Sequence, residues 1–458
     1  MKTVNFLSYD NFMQLTDAEK DQYVSTKCAK LKTGIKEKEY IIFRPTPTVA
    51  NYLTFTAQVA NSSVGFKING SVPGVTLQYS IDNGITWNDY TFGNTISLPN
   101  IGDSVKFKGD NESFSLNQQN FVYCYMQGLV AASGDITSLL NEGGGDVELT
   151  EYCFNKLFIN CASLTTAPEL PSTTLANNCY QSMFYGCSSL TTAPTILPAT
   201  TLATECYNKM FYTCTSLTTA PAISPTTLAS NCCQEMFSSC VKLTTAPTIL
   251  PATTLATECY NKMFYNCSSL TAAPALPATT LAEGCYQEMF SSCVKLTTAP
   301  TILPATTLAN SCCKEMFNNC SSLTAAPALP ATTLANSCYY DMFYGCTSLT
   351  TAPTILPATT LATNCYYGMF QKCTSLTAAP ELPATTLATY CYSYMFYKCT
   401  NLNYIKAMFT TTPSGSYTNS WVKDVSATGT FVKNSAATWN VSGNSGIPTG
   451  WTVETASA

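Results

Sequence analysis

Twenty cysteines recur at fixed intervals, and cysteine has a wide chemical repertoire: nucleophile, disulfide partner or soft-metal ligand. The first of each pair stands at Cys153, Cys179, Cys206, Cys232, Cys259, Cys285, Cys312, Cys338, Cys365 and Cys391, with gaps alternating between 26 and 27. The second follows eight positions later, from Cys161 to Cys399, and Cys28, Cys124, Cys233 and Cys313 lie outside the pattern. A thiolate nucleophile needs an activating base, and the chain has no histidine, so neither a Cys-His nor a Ser-His pair exists. Zinc chemistry favours histidine or C-x2-C pairs, and both are absent. Read as a helix, two cysteines eight apart are separated by about 12 Å, beyond disulfide reach. The cysteines are therefore expected to be reduced and packed in ladders as small hydrophobes. Paired carboxylates fare no better, because Glu205, Asp341 and Glu381 occupy unequal repeat positions. No phosphate-binding or dinucleotide-binding glycine motif is present. The inventory predicts a non-enzymatic chain with no cofactor and no metal.

The elements that position these cysteines repeat with them. Ten copies of one 26- or 27-residue unit are the signature of a solenoid. In the copy that begins at Cys259, the residues Cys259, Met263, Phe264 and Cys267 sit at i, i+4, i+5 and i+8, a spacing that predicts one face of a short helix. Asn261, Lys262 and Asn266 suit the outer side. Residues 268–274 predict a short strand beside identical neighbours, ended by Pro274. Pro277, Thr279 and Thr280 form a turn, and Leu281 returns to the core. One copy cannot bury its own apolar face, so stability comes from contacts between copies. Copies reading TILPATT carry one residue more than those reading ALPATT, which makes a pair of copies the larger unit.

The phrase Phe-x-x-Cys-x-Ser-Leu-Thr-x-x-Pro at 264–274 resembles the BspA-like class of leucine-rich repeats. The resemblance covers roughly residues 135–409, and the second cysteine stands where such repeats keep an Asn or Cys that bonds the turn backbone. It implies a right-handed solenoid with a parallel sheet on one face and short helices on the other. It further implies a protein that binds rather than catalyses, of a family found on bacterial cell surfaces and in phage-encoded gut proteins. Residues 79–87 look like the β-domain that often precedes such repeats, and residues 446–453 look like the usual ending.

The fold expected is an α/β leucine-rich repeat solenoid with an N-terminal helical arm, a small β-sandwich and a β-rich C-terminal cap. The boundaries are 1–48 for the arm, 49–132 for the sandwich, 133–409 for the solenoid and 410–458 for the cap. The arm concentrates charge, and Thr16 with Glu19 suggests a helix cap. Alternating runs at 53–57, 64–68, 77–81, 86–90, 96–98 and 105–109 predict the strands of the sandwich, with a tight hairpin at Asp82-Asn83-Gly84. Residues 134–140 predict the opening cap of the solenoid. After Phe409 the period stops, and Trp421, Trp439 and Trp451 suit the core of the closing cap.

Charged residues are 11% of the chain and formal net charge is −5, which argues against a nucleic-acid partner. No apolar run reaches the ~18 residues of a membrane span, and the first residues lack the apolar core of a secretory signal. That predicts a mature form or a chain not exported by that route. Residues 153–409 hold nine lysines and nine acids, so the repeat surface is Thr, Ser, Asn and Tyr. Candidate contacts are Tyr185, Tyr212, Tyr265, Tyr344 and Tyr397, each after a Met-Phe pair, and the ladder positions Thr191, Thr218, Thr244, Thr297 and Thr350. Tyrosine gives contact area at low entropy cost, although these rings equally suit packing on neighbouring copies. The expectation is a phage virion fibre or decoration protein that holds capsid or tail proteins through its N-terminal region. A host surface protein or glycan would meet the solenoid. The alternative is a bacterial cell-surface adhesin, and a homo-oligomer is compatible with either.

Overall fold

The computed structural model describes residues 51–456. The N-terminal arm expected at 1–48 lies outside these residues. The chain first builds two facing sheets from β1 (Leu53–Ala57), β2 (Ser62–Asn69), β3 (Gln78–Ser80), β4 (Asn88–Asp89), β5 (Ile96–Leu98), β6 (Ser104–Lys108), β7 (Phe121–Gln127) and β8 (Val130–Ser133). One sheet runs β4-β3-β6-β1-β8 and continues into β9 (Leu164–Thr166) of the first repeat; the other is β5-β2-β7. Alternation puts Phe55 and Phe107 on one inner face and Phe66 on the other. Their rings meet edge to face at 6.1 Å (Phe55–Phe66) and 5.0 Å (Phe66–Phe107). The hairpin after β3 is wider than a two-residue turn, because Tyr79 pairs with Asn88. Asp82 organises that loop by accepting from the backbone N–H of Ile85 and Thr86.

No α-helix occurs among the described residues, and the helical face expected in each repeat is replaced by a string of hydrogen-bonded turns. Two sets of backbone bonds alternate along it. Asn261, Met263 and Tyr265 donate to the carbonyls three residues back, at 3.0–3.2 Å, while Tyr260, Lys262 and Phe264 donate to Cys285, Gln287 and Met289 of the next coil at 2.9–3.1 Å. Stacked identical coils thus satisfy half of the N–H groups between copies, an outlet that an isolated helix lacks. The backbone enters the left-handed region every fourth residue, at Glu258, Lys262 and Asn266 (φ 51°, 54° and 57°). A period of four holds Cys259, Met263 and Cys267 in one column and Tyr260 with Phe264 in the next. An α-helix would have rotated the third cysteine position by about 80°.

This geometry makes one residue type costly. Thr213 sits at φ 56° where other copies place Asn160, Asn266 and Asn319, and a β-branched residue is the least suited to that region. Thr213→Asn is expected to raise stability by roughly 0.5–1 kcal/mol, measured as a shift in urea midpoint at unchanged slope.

The expected strand at 268–274 is reduced to single parallel bridges, such as Ala272 to Thr298, with Thr271 O accepting from Thr297 N at 3.0 Å. Short two-residue pairs β10 (Ile196–Leu197) and β11 (Ala222–Ile223) mark a further contact line on the coil. The coil outlasts the sequence period. Beyond Phe409, Phe396 N donates to Trp421 O and Lys398 N to Lys423 O. Parallel strands β12 (Tyr404–Ala407), β13 (Thr430–Lys433) and β14 (Thr452–Thr455) then close the end. Trp421, Trp439 and Trp451 are buried there, and each indole N–H reaches a carbonyl, of Gly446, Phe409 and Ser426 respectively.

A phenylalanine spine joins these parts. Phe55 touches Phe158 at 6.2 Å, and from Phe158 to Phe396 ten rings stack at 5.2–5.9 Å and within 11° of parallel. Trp421 ends the column 6.1 Å from Phe396.

Candidate binding surface

All 23 described cysteines are free and buried. They form two columns. In the second, Cys267 donates its S–H to Phe237 O at 3.1 Å, Cys293 to Phe264 O at 3.1 Å, and the pattern runs from Cys161 to Cys399. The small thiol fits beneath the phenylalanine spine while tying each turn to the coil before it. Burial pushes the thiols of Cys240, Cys293 and Cys399 up to about 12, so these three remain protonated and inert. Among the described residues no group of three or more Cys, Asp or Glu is arranged to hold a metal ion.

The outward chemistry lies on the string of turns. Gln181 and Asn208 stand two residues after the first cysteine of their copies, and both are buried. Gln118 Nε2 donates to Gln181 Oε1 at 3.0 Å, Gln181 Nε2 to Glu205 Oε2, Asn208 Nδ2 to Gln234 Oε1 at 2.9 Å, and Gln234 Nε2 to Glu258 Oε2 at 3.0 Å. Gln118, Gln181, Glu205, Asn208 and Gln234, with Lys156, Ser182 and Lys209, line an open cleft of about 270 Å³. Each amide retains a donor hydrogen or a lone pair beyond the bonds just named. Beside the cleft, the half-buried rings of Tyr185 and Tyr212 stack at 4.9 Å and 8°.

The remaining predicted tyrosines do not continue that stack. Ser238, Ser291, Asn318 and Gln371 interrupt the column, and Tyr265, Tyr344 and Tyr397 instead carry lysines. Lys262 lies 6.0 Å from the Tyr265 ring, Lys372 4.6 Å from Tyr344, and Lys398 and Lys423 5.3 and 5.7 Å from Tyr397. A second aromatic group escapes the sequence reading. Tyr340 and Tyr367 stack at 4.6 Å and 2°, Tyr394 tilts against Tyr367 at 5.4 Å, and Lys314 covers Tyr340 at 5.4 Å. The signal was a change from Asn or Gln to Tyr two residues after Cys338 and Cys365.

Glu235 and Glu288 each face a lysine of the preceding coil, Lys209 at 3.6 Å and Lys262 at 3.4 Å. The same column continues as Glu315 and Asp341, acid beside acid. Burial first, then Glu315, pushes the Asp341 carboxyl up to about 7, against the pull of Lys314.

The threonines line a different side. Thr191, Thr244, Thr297 and Thr350 each donate Oγ1–H to the carbonyl of the coil before, at 3.1 Å to Thr165, Thr218, Thr271 and Thr324. Thr218 is exposed on the same ladder. Their hydroxyl hydrogens are committed to the backbone, so this side offers methyl groups and lone pairs.

The sequence matches the family described as BspA type Leucine rich repeat region (6 copies), over residues 148–271, 207–324, 249–377 and 314–434. Two solved structures are similar. One is a leucine-rich repeat protein from Bacteroides ovatus, 14% identical, which aligns over 81% of this chain and 94% of its own with a TM-score of 0.26. The other is a leucine-rich repeat protein from T. pallidum, 17% identical, over 54% and 83% with a TM-score of 0.21. No curated protein sequence matches.

Proposed function

This chain belongs to the BspA type leucine-rich repeat family, and on that footing we propose that it is a non-enzymatic, adhesin-like binding protein displayed at a bacterial surface. The observation that carries the ligand class is the cleft around Gln181, Glu205, Asn208 and Gln234, with the Tyr185–Tyr212 stack beside it. Half-used amides, a carboxylate and two lysines supply paired donors and acceptors, and an aromatic pair supplies apolar area. That combination suits a hydroxyl-rich ligand such as a glycan. The described cysteines are buried in the core, which leaves this polar surface as the chemistry available to a partner.

A virion fibre or decoration protein is the second reading. It rests on the charge concentrated in residues 1–48, including Lys27, Lys30, Lys32, Lys36, Lys38 and Arg44, which would serve as the segment that docks on capsid or tail proteins. Quantitative mass spectrometry of envelope fractions and purified phage particles separates the two: enrichment in the envelope supports the adhesin, and stoichiometric recovery in particles replaces it with the virion protein.

For the ligand, the full chain applied to an oligosaccharide array is expected to bind a defined subset. Tyr185→Ala together with Tyr212→Ala is expected to weaken that binding at least tenfold, about 1.4 kcal/mol, with an unchanged circular dichroism spectrum. Binding that survives both changes, or a blank array at high protein concentration, rejects the cleft as the glycan site.

A further inference from the structure

The side of the coil opposite in character to the polar cleft carries a stripe of exposed isoleucines. Ile196, Ile249, Ile302 and Ile355 are 41–50% exposed, an unusual state for so large an apolar side chain repeated in line. Each is bridged to, or paired in a strand with, the residue at the same place on the next coil: Ala222, Ala275, Ala328 and Glu381. Glu169 occupies that place in the first copy, and Lys406, 2.9 Å from Glu381, follows at the far end. Read along the solenoid, the stripe is Glu, Ile, Ala, Ile, Ala, Ile, Ala, Ile, Glu, Lys. The coil segments around it, such as residues 243–256 and 296–309, contain no charged residue. Loss of charge is what distinguishes the centre of a protein interface from ordinary surface.

We propose that this face is the interface of a homodimer with antiparallel solenoids. Isoleucine knobs alternate with alanine holes at a pitch of two coils, so the stripe is complementary to itself when displaced by one coil. A two-fold axis parallel to the solenoid sets Ile against Ile, because such an axis carries no displacement. A perpendicular axis passing between the coils of Ala275 and Ile302 gives the one-coil offset and closes the assembly. It sets Ala275 against Ile302 of the second copy, Ile249 against Ala328, Ala222 against Ile355, Ile196 against Glu381, and Glu169 against Lys406. The opposite charges of Glu169 and Lys406 meet at both ends. Each one-coil register sets one isoleucine against a glutamate, so these two ion pairs select this register over the shift in the other direction, where Glu169 would face Ile355 and no charge pair forms.

The area suffices. Seven coils from Ile196 to Ile355 extend about 34 Å at ~4.8 Å per strand. A stable interface of about 800 Å² per partner then needs a width of roughly 24 Å, or about seven extended residues. The uncharged run in each coil is about twice that length.

Sedimentation equilibrium of the full chain tests this. A dimer is expected at micromolar concentration, and Ile249→Asp with Ile302→Asp is expected to raise the dissociation constant at least 100-fold while circular dichroism stays unchanged. Should the aspartates perturb folding, the exchange Glu169→Lys with Lys406→Glu provides an independent measurement: Glu169→Lys alone weakens the dimer, and the double exchange restores it. Ala275→Cys combined with Ile302→Cys is expected to cross-link two chains under mild oxidation. A wild-type monomer across the concentration range overturns the proposal. So does a dimer indifferent to the aspartates, a species that grows without limit as concentration rises, or capture of the stripe by the oligosaccharides of the array in place of a second chain.

Discussion

Phe264→Ala is expected to cost about 3–5 kcal/mol, the range for removing a fully buried phenylalanine, and to split the unfolding of the solenoid in two. Phe264 is 0% exposed and stacks on Phe237 at 5.5 Å and on Phe290 at 5.6 Å. Deleting the ring leaves a void that coil backbones tied to both neighbours cannot close, and it removes two stacking contacts worth roughly 0.5–1.5 kcal/mol each. In a solenoid each coil touches only its neighbours, so the loss falls on the coupling between the two halves. The parent is expected to unfold in one urea transition. The variant is expected to show two, with early amide exchange around coils 232–293. Phe396→Ala is the comparison: its ring lies near the end and leans on Trp421 at 6.1 Å, so a single transition with an earlier midpoint is expected. A central variant that keeps one transition and loses less than about 1 kcal/mol would mean that the spine is not the coupling element.

That spine was largely legible in the sequence. Phenylalanine five residues after each first cysteine, repeated through ten copies, has no other place to go than a shared core. The turn was the illegible part: Cys259, Met263 and Cys267 lie four apart, a spacing that a 3.6-residue helix and a four-residue turn both accommodate over so short a stretch. The outward residues at Glu258, Lys262 and Asn266 gave little warning, because glutamate and lysine seldom adopt the left-handed region. They do so here because the neighbouring coil takes the N–H groups that such turns leave over. The coil beyond Phe409 was hidden for a different reason: Trp421, Val422 and Val425 fill the places of Met, Phe and the second cysteine, so the volume is kept while the letters change. In the candidate surface, the Tyr185–Tyr212 stack was readable by position. The amide cleft was not, since Gln181, Glu205 and Asn208 belong to two repeat positions that meet only when coils stack. Tyr340, Tyr367 and Tyr394 stand two or three residues after their cysteines and fell outside the Met-Phe-Tyr pattern.

The acidic end of the outer column makes stability depend on pH in the direction opposite to ordinary acid denaturation. Asp341 follows Glu315 in the column where Glu235 and Glu288 each face a lysine of the preceding coil, and its Oδ1 is buried with no hydrogen-bond partner. A Cβ on the next residue of the column, Gly368, would collide with that oxygen, so the carboxylate lies over bare backbone. Tyr340 and Tyr367 flank it, and Lys314 is the cation that opposes Glu315. Burial first and Glu315 second raise the carboxyl from 3.8 to about 7. Between those two values the folded chain holds a proton that the unfolded chain has released, so stability falls as pH rises through the window. The penalty is complete above pH 7 and absent below about 4. Glu315, also raised by burial and by Glu288, acts in the same direction. The melting temperature is therefore expected to be higher at pH 5.5 than at pH 8. Asp341→Asn should raise the value at pH 8 and remove most of the difference, while Asp146→Asn should leave it in place, because Asp146 is exposed and its carboxyl is lowered by Thr173. Equal pH differences in the parent and in Asp341→Asn would show that the carboxylate is solvated in the folded chain and that its burial imposes no cost.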